Sequence, residues 1–123
     1  MPLTILNTYA LLSTPEAFTA AIEALAARVE TEGHPGIRGY RFFVNAGDST
    51  ARAVIDYDDA AAWIGHHDIA MPWPEMKALH SVARLTDVVF LGDLTPEIQA
   101  WIDTSTLTAT IHSGNAPTAG FTR

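Results

Sequence analysis

Cysteine is absent from the 123 residues, which removes disulfides, thiolate metal sites and a cysteine nucleophile together. Basic residues are scarce. Lys+Arg total 7 against 14 Asp+Glu, a formal net charge of −7, so the diffuse positive field that holds phosphate backbones is missing and nucleic acid is not an expected partner. Long apolar runs are missing too: the opening MPLTILNTYALLSTPEAF has no basic residue before its apolar stretch, and Thr4, Asn7 and Thr8 interrupt it. A membrane span needs about 20 mostly apolar residues, so neither a span nor a signal peptide is expected, and a reducing, cytoplasmic setting fits. The glycines form neither G-x-G-x-x-G nor G-x-x-x-x-G-K, and no G-x-S-x-G, H-x-x-x-H or HExxH pattern occurs. Dinucleotide dehydrogenase, kinase, serine hydrolase and zinc-site readings therefore have no basis, and no metal site is expected.

What is present suits one folded domain. Hydrophobic residues make up 48% and charged residues 17% of the chain, which argues against disorder, and a second core would have too few apolar side chains to fill it.

Leu3, Ile5, Tyr9, Leu11 and Leu12 mixed with Thr4, Asn7 and Thr8 predict a first strand over residues 3–12. Thr14-Pro15-Glu16 supplies a capping hydroxyl, a proline where no donor is needed and a carboxylate at the positive helix end. Phe18, Ala21, Ile22, Leu25 and Val29 then form the apolar stripe of a helix that Gly33 and Pro35 stop. Ile37–Val44 and Ala51–Tyr57 predict a hairpin around the turn-rich residues 45–50. A helix capped by Asp58 or Asp59 follows, broken by Pro72 and Pro74 before it resumes at Glu75. Leu85–Leu91 predicts a fourth strand and Thr95-Pro96-Glu97 a short last helix. Thr104–Ile111 alternates in part like an edge strand or an arm laid on a partner, and the end of the chain reads as a loose tail.

The order is βαββαβ, a ferredoxin-like α+β domain with a four-stranded antiparallel sheet over residues 1–104, and residues 105–123 as a C-terminal arm or tail. Helices cover one face only. Strands one and two nevertheless carry apolar or aromatic residues on both parities, where a half-wetted sheet alternates cleanly. A second copy of the chain is the expected cover, giving a homodimer.

Polar and aromatic chemistry concentrates in Trp63-Ile64-Gly65-His66-His67-Asp68-Ile69-Ala70-Met71-Pro72-Trp73, with His80 just beyond. Imidazoles move protons near neutral pH. Adjacent helix positions point about 100° apart, so a helix running through both places only one of His66 and His67 toward a given site. Asn7 breaks the apolar parity of strand one, and a buried amide needs a partner in the backbone or in a bound molecule. Trp63 and Trp73 serve either as core anchors or as walls for a flat ligand. Tyr40 and Tyr57 have the same two uses, and Arg41 either forms a surface ion pair or meets an anionic substrate group.

The segment AAAWIGHHDIAMPWPEMKALH, with the order of elements over residues 3–94, resembles the antibiotic biosynthesis monooxygenase-like group of dimeric α+β barrels. That resemblance implies a homodimer with a small-molecule cavity between sheet and helices. Cofactor-free members oxidise polycyclic aromatic substrates there. Heme-degrading members use an Asn on strand one, a Trp after strand three and a His on the following helix, which Asn7, Trp63 and His80 resemble in type and order.

The resulting expectation is a monooxygenase-like homodimer acting on a flat, partly apolar molecule. His66, His80 and Asn7 are the candidate catalytic residues, and Trp63, Trp73, Tyr40, His67 and Arg41 the candidate binding residues. No cofactor is required; heme is the alternative, and a non-catalytic metabolite-binding module is the other rival.

Overall fold

The computed structural model describes residues 1–123 as β1 (Leu3–Leu11), α1 (Pro15–Glu32), β2 (Ile37–Asn45), β3 (Thr50–Tyr57), α2 (Ala60–Ala70), α3 (Pro74–Val82), β4 (Ala83–Leu91), α4 (Pro96–Thr104) and β5 (Thr110–Asn115). Strand order is β2-β3-β1-β4-β5, with the first four antiparallel and β5 parallel to β4. The ferredoxin-like α+β core is as expected, but the sheet is five-stranded and mixed.

Local chemistry sets the helix starts. The Thr14 hydroxyl accepts from the Ala17 amide at 3.0 Å, Asp59 from the Ala62 amide at 2.9 Å and Thr95 from the Ile98 amide at 3.2 Å. The second helical region is in two pieces, as Pro72 and Pro74 predict, and Pro74 opens α3 where its missing donor costs nothing. The last strand begins six residues later than Thr104, the expected start. Ser105 explains the delay: its hydroxyl donates to the Ile102 carbonyl at 2.7 Å and accepts from the Leu107 amide at 3.2 Å. These local bonds compete with a strand ladder.

Alternate residues of the central strands face the helices. Leu3, Ile5 and Tyr9 of β1 and Ala51, Ala53, Ile55 and Tyr57 of β3 are buried in one core with Phe18, Ile22, Leu25 and Val29 of α1, Trp63 of α2 and Leu79 of α3. Each large apolar side chain enclosed this way stabilises by about 1.5–3 kcal/mol. On the opposite face Leu6 lies level with Val54 and Val89, all partly exposed, and Phe43 and Leu91 are 54% and 39% exposed.

The loop after α1 lies hard against α2. A Cβ at Gly65 would stand 2.4 Å from His34 Cδ2, and His34 is held there because its Nδ1 accepts from the Gly36 amide at 2.9 Å. Glycine at 65 is required by this close approach.

Candidate functional site

A cavity of about 400 Å³ lies between the helix-facing side of the sheet and α2 and α3, with α4 and the chain after it as a further wall. Asn7, Tyr40, Trp63, His66, His67 and His80 all line it. Trp73 and Arg41 do not.

Trp73 is half-buried in a brace between helices. The Arg28 guanidinium sits 4.2 Å from the centre of its ring while donating to Glu75 at 2.9 Å. Arg41 is exposed and opposite Val54, on the face of the sheet turned away from the helices, because the even parity that puts Phe42 against the core puts Arg41 outside.

His66 and His67 both line the cavity although α2 runs through them without a break, contrary to the expectation that only one of the pair can face a site. The cavity wraps around the helix, so side chains about 100° apart reach different parts of it. His66 points to the sheet, edge-on to Tyr40 at 5.7 Å and beside Tyr57 at 6.0 Å between ring centres. His67 points to α4: it stacks on Trp63 at 3.9 Å and meets Trp101 edge-on at 5.1 Å.

Two buried polar atoms of cavity-lining residues have no hydrogen-bond partner, Asn7 Oδ1 and His66 Nδ1. The Asn7 amide nitrogen donates to the Tyr9 hydroxyl at 3.3 Å, so its donor is engaged and its acceptor is left free. Turning the amide over merely exchanges which end is orphaned. An unmatched buried polar atom costs about 1–3 kcal/mol, and a bound molecule that supplies the bond is favoured by that amount.

Burial pushes the His66 imidazole down to about 3, with His67 and His34 reinforcing the shift. Burial likewise takes His67 down to about 4, outweighing the Trp63 carbonyl and Asp68, which favour the cation. Partial burial lowers His80, which is exposed at the cavity mouth. Tyr9 is raised by burial to about 12, opposed by its bond to Asn7, and burial raises Tyr40 and Tyr57. At neutral pH the lining is thus uncharged except for Arg84. A lining of this kind suits neutral, partly apolar molecules that can make hydrogen bonds.

Sequence reasoning missed much of this lining. Tyr9 shares the buried parity of Ile5, a signal that was legible, whereas Tyr57, read with Tyr40 as core or pocket lining, does line the cavity. Trp101, Arg84 and Ser105–Thr108 carried no such signal, because only the tertiary return of the C-terminal segment brings them here.

The fold is that of the antibiotic biosynthesis monooxygenase-like proteins. Among solved structures the chain is similar to a mutant of SnoaB, a cofactor-independent oxygenase from Streptomyces nogalater, with 16% identity, a TM-score of 0.63, and 76% of this chain and 94% of that chain covered. It is similar to MupZ from Pseudomonas fluorescens at 15% identity and a TM-score of 0.69, over 99% of this chain and 89% of that chain. A Caulobacter crescentus protein assigned to the antibiotic biosynthesis monooxygenases gives 15% identity and a TM-score of 0.59, over 76% of this chain and 91% of that chain. The MupZ likeness is long enough to take in α4 and β5. No protein-family model matches the sequence, and no curated protein does.

Proposed function

We propose that the chain forms a homodimer through the outer face of its sheet and binds a flat, partly apolar aromatic molecule in the cavity, acting on it as a cofactor-independent monooxygenase. The observation that carries this reading is the pair of orphaned atoms, Asn7 Oδ1 and His66 Nδ1, in a lining otherwise made mostly of aromatic and apolar groups. A ligand hydroxyl supplies the donor that Asn7 lacks, and the neutral His66 ring is available to hold or accept its proton. The likeness to SnoaB, itself a cofactor-independent oxygenase, supports the oxidative part.

The chemistry balances without a cofactor for an aryl-flanked CH₂ group. The carbon is oxidised to C=O, one atom of dioxygen enters that bond and the other leaves as water with the two displaced hydrogens. The substrate provides all four electrons. The chain's own contribution is to orient the substrate, exclude water and hold the proton released as the electron-rich anion forms.

Heme binding is the second reading, because Asn7, Trp63 and His80 do share one cavity. Arg84 alone would face the two heme propionates, and on that ground we place the aromatic ligand first. A Soret band on hemin titration reverses the order.

A hydroxyanthrone, which carries a ring hydroxyl as well as an aryl-flanked CH₂, is the test substrate. Anaerobic titration should quench fluorescence from Trp63 and Trp101, and admitting air should consume one dioxygen per anthraquinone formed. N7A and H66F should each slow turnover by about 10²-fold or more. Unchanged rates in both reject their roles, and binding without turnover leaves a metabolite-binding module.

A further inference from the structure

The hydrogen bond made by His67 has a chemical consequence for the α4 side of the cavity. His67 Nδ1 lies 2.7 Å from the Trp63 carbonyl oxygen, and a carbonyl only accepts. Nδ1 therefore carries the ring proton, and Nε2 keeps its lone pair. The ring cannot reverse these roles without giving up that bond.

The surroundings of this ring are built by the end of the chain. Trp101 of α4 closes over it, and the Trp101 indole N–H donates to Asp68 at 2.9 Å, which ties α4 to α2 and leaves only an aromatic surface turned to the cavity. Ser105–Thr108 continue the wall. Ser105 is engaged in its own backbone turn. Ile98, fully buried, anchors the start of the segment, and β5 pairs its far end to β4. The wall is thus held at both ends.

We propose that this side of the cavity is a second ligand subsite, in which His67 Nε2 accepts a hydrogen bond from a ligand hydroxyl or N–H and the segment Trp101–Thr108 forms the wall that selects for it. The inference rests on the cavity being a ligand site. It adds the ligand class: an aromatic molecule with two separated polar donors, one for the Asn7–His66 side and one for His67. The depressed basicity of His67 agrees with this assignment, since the ring stays an acceptor across the neutral range.

The test compares a naphthol, which has one hydroxyl, with a naphthalenediol that has one hydroxyl on each ring, both followed by tryptophan fluorescence. The diol should bind the unaltered protein about tenfold more tightly, the effect of one further good hydrogen bond. H67F, which keeps a ring against Trp63 but has no acceptor, should abolish that advantage, so that the variant binds the two compounds equally. H67Q, which restores an acceptor, should recover part of it. Equal affinities for the two compounds, or equal weakening of both by H67F, overturns the subsite while leaving the cavity reading standing. Failure of both compounds to bind the unaltered protein overturns both.

Long-range ¹H–¹⁵N spectra of the unaltered protein give a readout that needs no substitution. His67 Nε2 should show as an unprotonated nitrogen that shifts when the diol is added and holds still when the naphthol is added. A protonated Nε2 overturns the proposal.

Discussion

Lowering the pH should destabilise the protein through His66. The folded imidazole has its pKa pushed down to about 3 by burial, whereas an unfolded histidine titrates near 6.5. Below that value the unfolded chain takes up a proton that the folded chain refuses, so each pH unit costs the folded state about 1.4 kcal/mol. The stabilising contribution is complete above the unfolded pKa and is lost as pH falls toward 3. Between pH 7.5 and pH 5 the loss from His66 alone is about 2 kcal/mol. H66F removes that contribution and also removes an orphaned nitrogen, whose cost is about 1–3 kcal/mol. Urea unfolding of both proteins, followed by circular dichroism at one fixed protein concentration, should show a smaller acid loss for the variant by about 2 kcal/mol, with stability at pH 7.5 equal or higher. The residual acid sensitivity belongs in part to His67, whose shift has the same sign. If H66F loses as much stability between those pH values as the parent, the buried neutral imidazole is not what governs the acid response.

Three other perturbations probe the fold around the site. A single Asp in place of Leu6, which sits partly exposed level with Val54 and Val89, should leave the protein folded but dissociated. Sedimentation velocity should then read twice the 13.3 kDa chain mass for the parent and the chain mass for L6D; a parent sedimenting as a single chain refutes the dimer. R28A withdraws the cation from the Trp73 face and from Glu75, and should lower the urea midpoint of unfolding without changing ligand affinity; a loss of affinity instead would place Trp73 in the binding wall. G65A forces a methyl into the His34 ring, and should destabilise by about 1–2 kcal/mol. In an H34A background the same change should turn stabilising, by about 1 kcal/mol of helix propensity; the same sign in both backgrounds would show that His34 is not the obstacle.

How far the sequence could be read depended on how local the signal was. Thr14, Asp59 and Thr95 cap their helices through bonds to amides three residues on, and such signals need no knowledge of the rest of the chain. Pro72 and Pro74 marked the break in the helical region for the same reason. Asn7 was legible as a parity violation, since a lone amide among apolar neighbours calls for a partner. The two tryptophans were not separable, because Trp63 and Trp73 differ only in which element stands across from them: His67 and Trp101 for one, Arg28 for the other. Arg41 failed through its register. Neither parity of that strand is purely apolar in sequence, and only pairing with β3 shows that Phe42 faces in and Arg41 out.

The adjacent histidines show how a single helix can furnish a cavity with two different ends. A rotation of about 100° per residue looked like a reason to discount one ring, and in the folded chain it is what gives each ring its own surroundings. His66 meets two tyrosines of the sheet, and His67 meets two tryptophans, one from its own helix and one from α4. Both stay neutral: burial lowers His66 with His67 and His34 adding to the shift, and at His67 burial outweighs the Trp63 carbonyl and Asp68. A resting imidazole this weakly basic is a poor proton acceptor for a neutral hydroxyl in bulk water. It becomes a competent one only when the anion that forms stays beside the new imidazolium, since an opposite charge a few ångströms away in a desolvated site raises the ring's pKa. On the proposed reading, proton transfer at His66 therefore depends on the ligand's own anion remaining beside the ring.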